Sequence, residues 1–284
     1  MPVGEVPLAS HQPEQAGELL ADFIRRHPRL LILTGAGVST DSGIPDYRDG
    51  EGSWKRKQPV QHGEFMSSLH ARQRYWGRSL IGWPVIRNAA PNPAHQQIAQ
   101  LEQRGHSNLL VTQNVDRLHQ KAGSVTALDL HGRADEVICM TCGTRSTRDG
   151  VHQRCADLNP EFGGYSATAA PDGDADLELD FSRFDIADCD QCGGILKPDV
   201  VFFGDYVPKQ RVYSALDRLK ASDGLLVIGS SLMVYSGFRF CRYASEWSKP
   251  MATLNLGRTR ADSLVDLKLN ANISETLAHL LQQL

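Results

Sequence analysis

LLILTGAGVSTDSGIPDYRD, residues 30–49, opens on four consecutive aliphatic side chains, Leu30 to Leu33. Such a run without polar alternation reads as a strand buried on both faces, the habit of a parallel sheet. It stops at Gly35-Ala36-Gly37 and gives way to a polar loop. Glycines at the carboxyl end of a buried strand let an anionic ligand approach the backbone closely. They equally suit a tight turn. The dinucleotide fingerprint would also want a third glycine where this chain has Thr40.

Working outward, Glu14 to Arg26 carries apolar residues at helical spacing ahead of that strand. Gly50 to Pro91 lacks strand alternation and reads as a mobile loop followed by short helices. A helix over Pro93 to Arg104 closes at Gly105. Short buried strands follow at Leu109 to Thr112 and Val125 to Leu130, then an extended run from Leu196 to Phe203. Lys209 to Lys220 is a helix, Gly224 to Ile228 and Met251 to Leu254 are strands, and the last helix starts near Ser274 as N-cap. Strands alternating with helices predict an α/β fold, a doubly wound parallel sheet of Rossmann-like type. Thr34-Gly35, Gln113-Asn114, His131-Gly132, Gly229-Ser230 and Asn255 all stand at carboxyl ends of strands. That is where open α/β sheets bind ligands.

Cys139-Met-Thr-Cys142 and Cys189-Asp-Gln-Cys192 are two CxxC pairs separated by 46 residues. A two-residue spacer turns both thiolates towards one ion, so the two pairs complete a tetrahedral S₄ shell suited to Zn²⁺, with an iron–sulfur site or a redox dithiol pair as the other readings. Four sulfur ligands leave no open position, which makes the metal structural. Cys155 and Cys241 are left as small buried hydrophobes. The expected organisation is a discontinuous Rossmann-like domain over 1–49, 101–135 and 200–284. A loop and helical insert fills 50–100, and a zinc-binding small domain 136–199.

The chain has 284 residues and a net charge of −3, which offers no footprint for nucleic acid. Asp172, Asp174, Asp176, Glu178 and Asp180 between the cysteine pairs argue the same way. Neither a targeting segment nor a membrane span is visible, so a cytoplasmic location without membrane contact is the expectation.

Read together, Gly35 to Thr40, Ser42 to Arg48, Thr112-Gln113-Asn114-Val115-Asp116 with His119, and His131-Gly132 closely resemble the sirtuins. The paired cysteines, Lys197 to Asp205 and Gly229 to Leu232 follow in that family's order, and the similarity spans about Pro28 to Leu269. Arg74-Tyr75-Trp76, Gly82-Trp83-Pro84 and Tyr235-Ser236-Gly237 place it nearest the class II branch. The resemblance implies NAD-dependent removal of acyl groups from protein lysines. In that chemistry the acyl oxygen attacks the nicotinamide ribose, nicotinamide leaves, and the products are lysine and O-acyl-ADP-ribose.

It also implies roles. His131 is the general base, Asn114 holds the ribose and Asp116 takes the nicotinamide carboxamide, with Ala36 and Ile44 as the pocket wall. Arg48 addresses pyrophosphate or ribose, and Tyr47, where the family often has Phe, lids the ribose. Gly35, Gly37, Ser39, Gln113, Gly229, Ser230 and Ser231 cradle the cofactor, Asn255 the adenine ribose and Leu269 the adenine. An acyl-lysine protein or peptide would insert between Val201-Phe202-Phe203-Gly204 and Val234-Tyr235, with Phe203 and Val234 flanking the lysine. Asp205 replaces the family's usual glutamate. Tyr75 and Arg78 share a helix face and are candidates for a carboxylate on the acyl chain, against a plain solvated face. A mono-ADP-ribosyltransferase and a non-catalytic NAD-sensing scaffold are the other functions weighed.

Overall fold

The computed structural model describes residues 10–55, 59–162, 164, 175, 177 and 179–284. Of the acidic insert read above, Asp172, Asp174, Asp176 and Glu178 lie outside the described residues. The strands are β1 Leu30–Thr34, β2 Ser107–Thr112, β3 Leu128–Asp129, β4 Gly132–Cys139, β5 Arg145–Thr147, β6 Leu196–Val200, β7 Gly224–Ile228, β8 Met251–Leu254 and β9 Leu267–Leu269. The helices are α1 Pro13–Arg26, α2 His62–Ser67, α3 Leu69–Asn88, α4 Pro93–Gln103, α5 Leu118–Lys121, α6 Arg148–Leu158, α7 Lys209–Lys220, α8 Tyr235–Glu246 and α9 Ile273–Gln283.

The main sheet runs β3-β2-β1-β7-β8-β9, all parallel. Every residue of β1 and β7 is buried. Leu30 and Ile32 point into one core with α1, α4 and α9, while Leu31 and Leu33 point into the opposite core with α7 and α8. This two-sided burial is why the run carries no polar alternation. Strand order reverses between β1 and β7, so their carboxyl ends form the switch-point crevice of a doubly wound sheet.

A second, antiparallel sheet, β5-β4-β6, carries the cysteines. It begins at Gly132, inside the stretch expected to belong to the large domain. Four expectations about single elements are corrected. The short helices foreseen before Pro91 include one 20-residue helix, α3, with Pro84 inside it. The strand foreseen over Val125 to Leu130 shrinks to Leu128–Asp129, because Val125 is 89% exposed at the sheet edge and its N–H donates to Glu102. The extended run from Leu196 stops being strand at Val200, and Phe203 pairs instead with Gln61. The final helix is capped by Asn272, whose side chain accepts from Glu275 N, rather than by Ser274. Cys155 and Cys241 are buried, as their apolar surroundings require.

Candidate active site

The sheet's hydrogen bonding continues past its strands and aligns the loop starts. Gly35 N donates to Ile228 O, Gly37 N to Gly229 O, Gln113 N to Thr34 O and Asn255 N to Leu269 O. The first two loops pack glycine against glycine. A Cβ on Gly35 would lie 2.7 Å from Ser230 Cβ, and Gly229, at φ 63°, lies against Val38. Only glycine gives both the left-handed turn and the close approach.

A cavity of about 390 Å³ opens over these ends, a size typical of ligand pockets. It reaches from Gly35 and Gly229 across Asn114, Asp116 and His131 to the Val201–Gly204 segment. Ala36, Gly37, Ser39, Ile44, Tyr47, Arg48, Gln113, Ser230, Ser231, Val234 and Asn255 also border it.

His131, half-buried just after β3, has Nδ1 2.9 Å from Gln113 O and Nε2 2.7 Å from Ser236 Oγ. A carbonyl can only accept, so Nδ1 carries the proton and Nε2 is the basic nitrogen facing the hydroxyl. Burial pushes the imidazole pKa down to about 4, so the ring is neutral near pH 7. Ser236 was missed as a site residue. Its signal was modest: a serine in the segment already expected to edge the cavity.

Asn114 Nδ2 donates to Gly35 O and to Ser39 Oγ, each at 3.0 Å. Ser39 Oγ donates to Asp116 Oδ2 at 2.7 Å, and Leu118 N donates to Oδ1 at 2.9 Å. Burial raises the Asp116 pKa, opposed by these donors. Behind Ser39 lies buried His95. Its Nδ1 accepts from Asn92 N in the capping box of α4, so the neutral ring carries its proton on Nε2, 3.4 Å from Ser39 Oγ. A directed chain thus runs from the start of α4 through His95 and Ser39 to the Asp116 carboxylate. His119 stands beside His95, ring centroids 4.8 Å apart, with Nε2 2.9 Å from Thr34 Oγ1.

Burial lowers the pKa of His95 to about 4 and, with help from His95, that of His119 to about 3. Unfolded histidines titrate near 6.5, so unfolding takes up protons below that pH. Stability is therefore expected to fall as pH drops below about 6.5, by up to about 1.4 kcal/mol per pH unit per ring. The decline ends near pH 4 for His95 and pH 3 for His119. Asp116, with its raised pKa, works in the opposite sense and blunts the slope. Urea midpoints followed from about pH 7.5 to about 4.5 check this; a flat midpoint contradicts it.

Three predicted site residues are not at the cavity. Leu269 is fully buried in the core beneath the sheet, and only its carbonyl, bonded to Asn255 N, serves the site. Tyr75 is 2% exposed, packed one layer behind Phe202 against Phe65 and Trp76. Arg78 donates to Ala175 O. Neither of the latter pair borders the cavity. Arg48 does, with its guanidinium 3.8 Å from the Trp54 ring centroid and Nη1 donating to Gly52 O. Tyr47, Trp54 and Phe203 meet edge to face above the opening. Where the chain passes into the loop from Gly50, Lys55 Nζ lies 2.6 Å from Asp46, and Asp49 accepts from Glu51 N and Ser53 N. Trp54 is a cavity residue the sequence reading did not single out.

In the small domain the four predicted sulfurs lie within 4.8 Å of one another. Cys139–Cys192 and Cys142–Cys189 separations are 3.6 and 3.8 Å. A tetrahedron with Zn–S near 2.3 Å has edges of about 3.8 Å, so the donor set fits Zn²⁺.

Residues 35–236 match the family model described as Sir2 family. The chain is 54% identical over 267 residues to "NAD-dependent protein deacetylase 2" of Bradyrhizobium diazoefficiens, covering 94% of this chain and 98% of that one. It is 48% identical over 269 residues to the human "NAD-dependent protein lipoamidase sirtuin-4, mitochondrial", covering 93% and 85%. Among solved structures, "Sir2-p53 peptide-NAD+" superposes with a TM-score of 0.73 at 28% identity, covering 94% and 97%. A Sir2 complex with 2'-O-acetyl-ADP-ribose and a deacetylated p53 peptide gives 0.73 at 27%, covering 94% and 98%. With a family match over most of its length and relatives sharing half its residues, the chain belongs to the Sir2 family.

Proposed function

We propose that the chain is an NAD-dependent protein-lysine deacylase that transfers the acyl group to ADP-ribose and releases nicotinamide. One observation carries this reading: Asn114, Asp116 and a neutral His131 converge on one cavity at the switch point. Bound there, NAD supplies an electrophilic ribosyl carbon when nicotinamide departs. Gly35, Gly37, Ser230 and Ser231 hold its phosphates, Asn255 its far ribose, and Asp116 accepts from the carboxamide. His131 Nε2 takes the proton of a ribose hydroxyl. Cys139, Cys142, Cys189 and Cys192 hold one structural Zn²⁺.

We read Val115, Val200 and Phe202, cavity-lining members of one buried apolar cluster, as the wall for the acyl chain. With Tyr75 and Arg78 engaged elsewhere, neutral acyl chains fit this wall better than carboxylated ones. The relatives' names, deacetylase and lipoamidase, fit the same preference. Mass spectrometry of NAD reactions with acetyl-, lipoyl-, succinyl- and glutaryl-lysine peptides tests both statements. O-acyl-ADP-ribose formed one-for-one with nicotinamide from the neutral members is expected. NAD binding with no nicotinamide release would support the scaffold instead, and label transfer to protein with the acyl group intact would support mono-ADP-ribosylation. Preferential turnover of succinyl peptide, abolished by Arg78→Ala, would overturn the apolar assignment.

A further inference from the structure

The outer mouth of the cavity carries more positive charge than the proposed reaction uses. Arg239, one turn into α8, lines the cavity, and its Nε is buried with no acceptor among the described residues. Arg242 donates to Tyr235 Oη at 3.1 Å, and the guanidinium carbons of Arg239 and Arg242 lie 5.3 and 6.0 Å from the Tyr235 ring. The charge of Arg211 on α7, like that of Arg239, helps lower the His131 pKa. Among the described residues none of these three arginines has a carboxylate within ion-pair distance. Of the acids that line the cavity, Asp205 accepts from Tyr206 N and faces His62 Nδ1 at 3.4 Å. Tyr206 and Tyr235, 90% and 46% exposed, stand at the same mouth. Tyrosine and arginine together, open to solvent around a desolvated centre, are the composition of a recognition surface.

We propose that Arg239, backed by Arg211 and Arg242, binds an acidic side chain of the polypeptide that flanks the acyl-lysine. This rests on the deacylase reading. The Arg239 Nε–H, with no acceptor among the described residues, offers a carboxylate a charge-assisted bond in a partly dry setting, where such bonds are strongest. A flanking residue is the fitting source of that carboxylate. Arg239 lies one turn along α8 from Val234-Tyr235, the segment read as an edge for the peptide, whereas Val115 and Phe202 belong to the buried apolar cluster.

The test uses acetyl-lysine peptides of one length with Asp/Glu, Ala/Ser or Lys/Arg flanks. A KM about tenfold lower for acidic than for basic peptides is expected, equivalent to about 1.4 kcal/mol, with kcat little changed. The preference should shrink as salt approaches ~1 M, where the screening length is about 3 Å. Arg239→Ala should bring the acidic-to-neutral ratio of kcat/KM close to one, and Arg239→Glu should invert it, while Arg239→Lys keeps part of it. Equal KM across flanks in the wild type, or a ratio that survives Arg239→Glu, overturns the proposal. A faster reaction with succinyl-lysine that depends on Arg239 overturns the choice of a flanking residue. Absence of turnover with every flank would instead refute the deacylase reading.

Discussion

Replacing His131 with alanine is expected to lower O-acyl-ADP-ribose formation by about 10²- to 10⁴-fold, the usual worth of a positioned general base. Nicotinamide exchange should fall far less. The split follows from the order of steps: nicotinamide leaves before any ribose hydroxyl must lose its proton, and only the later step needs a base. The geometry makes His131 ready for that step. The Gln113 carbonyl holds the proton on Nδ1, and burial keeps the ring neutral, so Nε2 presents a lone pair into the cavity at neutral pH. Ser236 Oγ covers that lone pair at 2.7 Å, and a ribose hydroxyl must take its place. Single-turnover product formation and exchange of labelled nicotinamide separate the two steps. Equal loss in both would mean that His131 only shapes the pocket, and undiminished product formation would remove it from the reaction.

Both the sheet centre and the ligand end were legible because they are local in sequence. Leu30 to Leu33 must be buried on both faces, and a glycine pair at a strand's end has few uses. The CxxC pairs carried their own geometry. What was not legible depends on burial from unusual directions. The long helix α3 has no apolar stripe because its faces meet different partners: Trp76 bonds Leu196 O, Trp83 bonds Asp149, and Gly77 abuts Phe181. Periodicity finds helices with one wet face, and this one has almost none. Arg148 hid α6 by the same logic. It is a guanidinium 1% exposed beside Trp76 and Trp83, where the pattern would call for an aliphatic residue. Helix α8 is recoverable from spacing alone: Gly237, Phe240, Cys241 and Ala244 recur at helical intervals just after the Val234-Tyr235 edge. Leu269, Tyr75 and Arg78 were assigned by resemblance of position. Position along an element does not reveal which neighbour will occupy a side chain.

Stripping the zinc, or replacing Cys139 with serine, should abolish peptide turnover although no cysteine touches the cavity. The reason is the path of two strands. β4 starts at Gly132, next to His131, and ends at Cys139; β6 starts near Cys192 and runs into Val201. They are antiparallel partners: Cys139 pairs with Leu196 at the metal end, Gly132 with Val200 at the cavity end, and Val201 N donates to His131 O at 2.7 Å. A metal there would clamp, from about 13 Å away at ~3.3 Å per residue of β6, the two strands that deliver the base and the peptide wall to one place. Structural zinc contributes about 10–16 kcal/mol in small domains, as much as a whole domain's stability. The small sheet therefore should not survive its loss, while β1 and β7, in the other sheet, should keep their packing. Metal analysis is expected to find one zinc per chain. Chelation should raise KM for peptide and lower kcat while NAD binding is weakened less, and added Zn²⁺ should reverse the change. Full peptide turnover by protein verified to be metal-free would refute the clamp.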